Sequence, residues 1–122
     1  MKYDISALGH ALVDTQYMVD HDFLDEIGLE ADSMTLASAE EHSPIIDKLE
    51  SMGVESVSDC GGSATNSLVA ASYYGSKCHH VCRVANDEDG KKYLESLQKA
   101  GVQHIGYSKE DSEMPTGKCL IF

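Results

Sequence analysis

Residues 60–75 read Cys-Gly-Gly-Ser-Ala-Thr-Asn-Ser-Leu-Val-Ala-Ala-Ser-Tyr-Tyr-Gly, and this stretch decides the fold. Alternating residues before it indicate a strand, which Gly61 and Gly62 break. An Ala-rich helix follows, with Ser63 as a suitable N-cap and Gly75 as its stop. A strand that turns through two glycines into a helix is typical of the repeating units of α/β proteins.

Strands and helices alternate along the rest of the chain, which predicts right-handed βαβ units and an α/β fold. Strands are predicted over residues 3–8, 13–19, 33–37, 54–60, 77–84, 102–105 and 116–122, the first buried and the second more exposed. Helices are predicted over residues 22–27, over a segment ending at Gly53, from Ser63 to Tyr74, and from Asp87 or Asp89 to Gly101. A polar loop is predicted over residues 109–115.

The helix that ends at Gly53 has two possible starts. Ser38-Ala39-Glu40-Glu41 has the form of a capping box. Pro44 fits better as a first-turn residue behind Ser43, because proline is tolerated there and not in a helix interior.

Composition limits the classes of partner. The length suits one domain, and the hydrophobic content of 42% suits a folded protein. The net charge of −12 disfavours nucleic acid and anionic membrane surfaces, and the longest basic run is Lys91-Lys92. No stretch approaches the length of a membrane span, and the residues after Met1 lack the apolar run of a secretory signal, so we expect a cytoplasmic protein.

Four cysteines, Cys60, Cys78, Cys82 and Cys119, lie in apolar or strand-like contexts, and we expect free thiols. The run Cys-His-His-Val-Cys at 78–82 contains residue types that bind zinc. On a strand, however, its two cysteines and His80 share one face, and no second cluster supplies a fourth ligand. We therefore expect no metal site.

Two signals indicate a ligand site. The Gly61-Gly62 turn exposes backbone N–H groups at a helix start, and Asn66 in the first turn can donate and accept hydrogen bonds to neighbouring hydroxyls. Asp14 follows the first strand, and ligands of open parallel sheets bind at the carboxyl ends of strands. The alternatives are an ordinary turn with a solvated Asn66 and an Asp14 that caps a turn.

The segments Gly-Gly-Ser-Ala-Thr-Asn at 61–66 and Val-Ala-Asn-Asp-Glu-Asp-Gly at 84–90 resemble the N-terminal signature of the ribokinase-like sugar kinases, the PfkB family. Within that family the chain is most similar to adenosine kinases, through residues 19–25 and 115–119. Ala85 stands where the family usually has glycine. The resemblance implies a Rossmann-like, mostly parallel sheet flanked by helices, with a small lid of strands near 13–19, 54–60 and 116–122.

The resemblance also implies site residues. Asp14, Gly61, Gly62 and Asn66 would bind the hydroxyls of a sugar or ribose. Met34 and Leu36 would line the pocket for a base or other aglycone, and His10 stands at a sugar contact where adenosine kinases commonly carry Asn.

The activity so implied is transfer of the ATP γ-phosphoryl group, with Mg²⁺, to a primary hydroxyl of a sugar or nucleoside such as adenosine. The family's catalytic aspartate lies in a Gly-Ala-Gly-Asp type motif near the C-terminus, and no such motif occurs here. An apolar strand also runs to Phe122. We therefore expect a truncated chain: an N-terminal, substrate-binding half over 1–122, inactive by itself, without the C-terminal ATP-binding part.

Two other classes of function are compatible with parts of the sequence. A non-catalytic module that binds a sugar or nucleoside is the alternative. A nicotinamide-dependent oxidoreductase is disfavoured, because Gly9-His10-Ala11-Leu12-Val13-Asp14 does not supply the Gly-x-Gly-x-x-Gly turn. The sequence leaves open a monomer or a homodimer formed through the lid.

Overall fold

The computed structural model describes residues 2–106 and 114–122 of the chain. The polar loop expected over 109–115 thus falls mostly outside the described residues. The described residues form the following elements in chain order: β1 (Ile5–Leu8), β2 (Leu12–Tyr17), α1 (His21–Ile27), α2 (Ala39–Ser51), β3 (Ser56–Gly61), α3 (Ser63–Tyr73), β4 (Cys78–Cys82), α4 (Glu88–Lys99), β5 (Gln103–Gly106) and β6 (Gly117–Ile121). Within this described part, no helix has the length and apolar character needed to cross a membrane.

The chain divides into two compact units. The first comprises Met1–Thr15 and Ser58–Cys119, and the second comprises Gln16–Val57 and Leu120–Phe122. The described strands form two three-stranded sheets, with the orders β1-β4-β5 and β3-β2-β6.

The sheet β1-β4-β5 of the first unit is parallel throughout, as predicted for an α/β fold. Ala7 pairs with His80 in the register of β1 and β4, and His80 pairs with His104 of β5. Helix α3 packs against β1 and β4, and α4 packs against β5. The core between them is apolar and consists of Ala11, Val13, Leu68, Cys78, Cys82, Val84, Tyr93, Leu97, Ala100 and Val102.

Two predictions about strand burial were wrong. Strand β1 was expected to be buried, but Ile5 is 41% and Leu8 is 82% exposed. The strand lies at the edge of its sheet. Ile5 and Ala7 share the face of buried Cys78 and His80, whereas Ser6 and Leu8 lie on the opposite face. Strand β2 was expected to be exposed, but its alternate residues Val13, Thr15 and Tyr17 are buried, as they are in a strand with one covered face.

Within residues 33–51, one prediction was wrong and one choice left open by the sequence is decided. Residues 33–37 are irregular and exposed, not a strand. Helix α2 begins at the earlier start: the Ser38 hydroxyl accepts from the Glu41 N–H, and the Glu41 carboxylate accepts from the Ser38 N–H at 2.7 Å. These bonds satisfy two N–H groups at the start of the helix. The helix therefore tolerates Pro44 in its interior, although proline has no backbone N–H to donate.

The second unit has its own small core around Phe122. The Phe122 ring lies 6.1 Å from the Tyr17 ring and 5.9 Å from the Phe23 ring, between centroids. Leu49 of α2 is fully buried in this cluster. Helix α1 is short but capped at both ends. The Asp20 carboxylate accepts from the Phe23 N–H at its start, and Gly28 adopts the left-handed conformation at its end.

In the first unit, the carboxylate of Asp87 ties the start of α4 to Thr116. It accepts from the Gly90 N–H at 2.7 Å, the Thr116 N–H at 2.8 Å and the Thr116 hydroxyl at 2.7 Å, and that hydroxyl in turn accepts from the Ala85 N–H. Asp87, and not Asp89, therefore caps the helix. Burial by itself raises the pKa of Asp87, but the hydrogen bonds from Thr116 and Gly90 outweigh it and hold the pKa below its ordinary value.

Replacing Asp87 with alanine is expected to lower the free energy of unfolding by about 1–3 kcal/mol at neutral pH, because three buried donors lose their acceptor. The pKa is lower in the folded than in the unfolded state. The stabilisation is therefore present above the unfolded pKa of about 3.9 and is lost as the pH falls through the folded pKa. Urea unfolding of wild type and variant should show a difference that shrinks below about pH 4.

Glu88→Gln is the control in the same helical turn, since Glu88 pairs with Lys91 at the exposed surface. It should change stability by less than about 0.5 kcal/mol at every pH. If the difference in free energy of unfolding between wild type and Asp87→Ala stayed constant down to pH 3, the ionised Asp87 carboxylate would not be the stabilising acceptor.

Candidate functional site

The turn between β3 and α3 requires glycine at both of its positions. Gly62 has φ 99°, a conformation that side chains disfavour, and a Cβ there would lie 2.8 Å from the His10 carbonyl oxygen. The prediction of Ser63 as the N-cap was wrong: Ser63 is the first residue of α3, and Gly62 is the N-cap, which supplies no side-chain hydrogen bond to the helix. The turn therefore presents the first N–H groups of α3 without a side-chain cap, as a site for ligand oxygens requires.

Asp14 lies directly against this turn. A Cβ at Gly61 would come within 2.2 Å of the Asp14 carboxyl carbon, so the carboxylate packs on the backbone of residue 61. Asp14 occupies the third position of β2, between buried Val13 and Thr15, and is itself half-buried. The adjacent side chains of Thr15 and Ser58 share a hydrogen bond of 3.0 Å, which joins β2 to β3 beside the site.

The electrostatics around Asp14 are unfavourable to its own charge. Burial raises the pKa of the Asp14 carboxyl, and the charge of Asp59 on β3 raises it further. Burial, with Asp59 as the next cause, also raises the pKa of the Cys60 thiol to about 11. Burial and the charge of Asp14 raise the pKa of Cys119. Both thiols are thus protonated at neutral pH and are poor nucleophiles. The charged groups of this cluster are the carboxylates of Asp14 and Asp59.

His10 and Asn66 lie on the two chain segments that meet at the turn. His10 follows β1 with an exposed side chain, and its carbonyl packs against Gly62. Asn66 is exposed in the first turn of α3, and its backbone N–H donates to the Gly62 carbonyl at 2.9 Å. The structure therefore brings Asp14, His10 and the two glycines together, and Asn66 follows one helical turn later.

A cavity of about 560 Å³ opens next to His10, at the carboxyl ends of β1 and β4. Ligands of open parallel sheets bind at this end of the strands. The cavity combines apolar walls with the imidazole of His10 and the guanidinium of Arg83. It is lined by Leu8, Gly9, His10, Ala11, Leu12, Val81, Cys82, Arg83, Met114, Pro115 and Gly117.

Met34 and Leu36 belong to the second unit, in the irregular segment before α2. Their side chains are 83% and 88% exposed. Leu36 also lines a cavity of about 420 Å³ within that unit, together with Ile27, Leu29, Thr35, Ala37, Glu41, Pro44, Ile45 and Lys48. Two large apolar side chains left this exposed on a short segment are available to contact a ligand.

Sequence reasoning missed a buried polar network under the turn. The Thr65 hydroxyl lies 3.1 Å from His80 Nε2 and 2.8 Å from the Tyr93 hydroxyl, and all three side chains are fully buried. The alternation of β4 predicted that His80 shares one face with Cys78 and Cys82, and the structure buries that face. The partners of His80 come from α3 and α4, which only the folded chain brings together.

The cysteine and histidine run of β4 contributes to the core. Cys78, His80 and Cys82 point inward, as the strand alternation predicted, while the His79 ring stacks on Tyr3 with centroids 4.7 Å apart. All four cysteines are free. Across residues 2–106 and 114–122, no three His, Cys, Asp or Glu side chains are grouped so that they could hold a metal ion.

Comparison with known proteins gives consistent matches. A protein-family model described as pfkB family carbohydrate kinase matches residues 33–122. A 2-dehydro-3-deoxygluconokinase from Thermoproteus tenax is 38% identical over 56 residues, which are 46% of this chain and 17% of that protein.

Solved structures share the fold over nearly the whole chain. A probable sugar kinase from Rhizobium etli CFN 42 superposes with a TM-score of 0.83 at 23% identity, over 97% of this chain and 34% of that one. An adenosine kinase from Sinorhizobium meliloti gives 0.79 at 24% identity, over 98% and 35%. An adenosine kinase from Anopheles gambiae gives 0.77 at 26% identity, over 94% and 36%. The chain thus spans about a third of the length of these proteins.

The contact between Asp14 and Gly61 can be tested by a double-mutant cycle. Gly61→Ala is expected to lower the free energy of unfolding by about 1–3 kcal/mol, because its Cβ overlaps the Asp14 carboxylate. In an Asp14→Ala background the overlap is absent, so the same substitution should cost less, with a coupling above about 0.5 kcal/mol in urea unfolding.

Gly62→Ala is the matched control for this cycle. Its cost comes from the positive φ and from the His10 carbonyl, so it should be equal in both backgrounds. Equal costs for Gly61→Ala in the two backgrounds would contradict the contact.

Proposed function

The chain belongs to the pfkB family of carbohydrate kinases, and we propose that it forms the acceptor-binding part of an ATP-dependent kinase that phosphorylates a primary hydroxyl of a sugar or nucleoside. The observation that carries the proposal is the Asp14 carboxylate, packed on the Gly61 backbone at an uncapped helix start. The proposal extends to the whole substrate-binding half over 1–122, with the strands near 13–19, 54–60 and 116–122 as a lid.

Asp14 is suited to bind alcohol groups. An ionised carboxylate is an acceptor with four lone-pair sites, so it can accept from two neighbouring hydroxyls of a sugar ring. Holding it half-buried beside Asp59 costs free energy in the unliganded protein. Residues with such perturbed pKa values are concentrated at functional sites, because hydroxyl donors of a ligand can offset that cost.

The turn complements the carboxylate with donors. The backbone N–H groups after Gly61 and Gly62 can donate to acceptor oxygens, and the exposed Asn66 amide can both donate and accept. His10 would contact the sugar from the end of β1. Two hydroxyls held between Asp14 and Asn66 would place the neighbouring hydroxymethyl group in one orientation. Positioning is a large part of phosphoryl-transfer catalysis.

Met34 and Leu36 are the proposed contacts for a base or another apolar aglycone. Their exposure supports this role, since burying two such side chains against a ligand would remove apolar surface from water. The substrate range proposed is therefore a nucleoside such as adenosine, or a sugar or sugar acid of similar size.

A kinase of this family uses ATP, which supplies the phosphoryl group, and Mg²⁺, which shields the charge of that group during transfer. Among the described residues, no three His, Cys, Asp or Glu side chains are grouped so that they could hold a metal ion by themselves. In kinases, Mg²⁺ is held by one or two carboxylates together with the phosphates of the nucleotide. We assign ATP and Mg²⁺ to the roughly two-thirds of the related kinases that this chain does not match, and derive no step through them.

The acceptor can be identified by thermal stabilisation. We expect one ligand among adenosine, other nucleosides, ribose, fructose and 2-dehydro-3-deoxygluconate to raise the Tm, since a ligand at 100 times its Kd contributes about 2.7 kcal/mol. The measurement is a thermal-shift series on this chain and on a longer protein that contains it. Stabilisation by an acceptor, without phosphoryl transfer by the longer protein, would instead favour a non-catalytic binding module.

Asp14→Asn is expected to separate stability from binding. Because the folded pKa of Asp14 is raised, its ionisation lowers stability at neutral pH, and this cost vanishes below the unfolded pKa of about 3.9. The variant should thus unfold at higher urea than wild type at pH 7, by a margin that shrinks as the pH falls. It should also lose the acceptor-dependent Tm shift.

Asp59→Asn is the matched control, since it removes the same charge repulsion but leaves the Asp14 carboxylate. It should gain stability at pH 7 and keep the Tm shift. If Asp14→Asn kept the shift as well, the acceptor site would lie elsewhere.

A further inference from the structure

The hydroxyl of Thr65 joins three elements of the first unit under the glycine turn. Thr65 lies in the first turn of α3, and its oxygen contacts His80 of β4 and Tyr93 of α4. His80 Nδ1 lies 3.3 Å from the Ala7 carbonyl of β1. A carbonyl can only accept, so Nδ1 carries the proton. In the neutral ring Nε2 must then accept from Thr65, and the Thr65 oxygen accepts from Tyr93. Each of the three side chains thus has one defined role.

This network touches the turn itself. The Thr65 oxygen lies 3.5 Å from the Cβ position of Gly62, which in turn lies 2.8 Å from the His10 carbonyl. On the other side, the His80 ring lies 3.7 Å from the Cβ position of Gly9, and that position lies 2.7 Å from the Cβ of Ala64. The end of β1 and the start of α3 therefore pack on each other above the network.

The start of α3 depends on these contacts because its N-cap, Gly62, makes no side-chain hydrogen bond. Glycine also has the greatest backbone freedom of all residues. We propose that Thr65, His80 and Tyr93 are positioning residues that hold the Gly61–Asn66 turn in its acceptor-binding conformation. This inference rests on the proposed function. None of the three contacts the acceptor; they act through the backbone that does.

Thr65→Val tests the inference, because it removes the hydroxyl while keeping the shape of the side chain. Thr65→Ser keeps the hydroxyl and should restore wild-type behaviour. Ser72→Ala is the matched control on the same helix: it removes the half-buried hydrogen bond from Ser72 to the Ala100 carbonyl, at the opposite end of α3. Both substitutions lower stability, but only the first alters the end of the helix that forms the turn.

The first measurement needs no ligand. Amide hydrogen exchange by NMR should show that Thr65→Val speeds exchange at residues 66–68 by about tenfold relative to residues 71–73 and β4. Thr65→Ser should show no such change, and Ser72→Ala should affect residues 71–73 instead. Uniform acceleration across the first unit, or the same pattern for Thr65→Val and Ser72→Ala, would overturn the inference.

The second measurement is the Kd of the acceptor that stabilises the wild-type chain in the panel of adenosine, other nucleosides, ribose, fructose and 2-dehydro-3-deoxygluconate. Thr65→Val should raise this Kd by about tenfold or more, while Thr65→Ser and Ser72→Ala stay near wild type. Unchanged binding by Thr65→Val would overturn the inference even if exchange changed. If no acceptor stabilised the wild type, the proposed function would fail, and the exchange data would still decide whether the network orders the turn.

Discussion

The hydrogen bonds of one buried hydroxyl group, that of Thr65, connect the main elements of the first unit. Through His80 they reach β4 and the carbonyl of β1, and through Tyr93 they reach α4. A buried polar network stabilises a fold only if every member is satisfied, since an unpaired buried group costs more than a bond contributes. Here each of the three side chains has a partner, so the network connects α3, α4, β4 and β1 by satisfied hydrogen bonds.

The glycine turn lies above this network and accounts for the geometry of the site. Neither Gly61 nor Gly62 can carry a side chain, because Asp14 fills one position and the His10 carbonyl fills the other. The same close packing places the Asp14 carboxylate near Asp59 and raises its pKa. Two adjacent carboxylates add to the charge repulsion in a chain of net charge −12. In the proposed function, hydroxyl donors of the acceptor offset this cost.

Local patterns predicted the elements well where the signal was within the element itself. The α/β alternation, the glycine that ends each helix prediction, and the inward face of β4 all agree with the structure. The errors occur where contacts with other parts of the fold decide the structure or the burial of a segment. Residues 33–37 have the composition of a strand but form none. The exposure of β1 depends on which of its faces is covered, and the burial of alternate residues of β2 depends on the cores that pack on them. The start of α2, which the sequence left open, is decided by the Ser38–Glu41 bonds.

The sequence by itself determined the fold class, the family and the short segments that carry the candidate site, because periodicity, glycine positions and motif spacing are properties of consecutive residues. Only the tertiary structure decided that Asp14 packs on Gly61, that Asp59 perturbs it, that Asp87 binds Thr116, and that Thr65, His80 and Tyr93 share one buried network. These pairs are separated by between 15 and 47 residues. No local sequence pattern predicts such contacts, because they form only when strands and helices pack together and bring distant side chains close to one another.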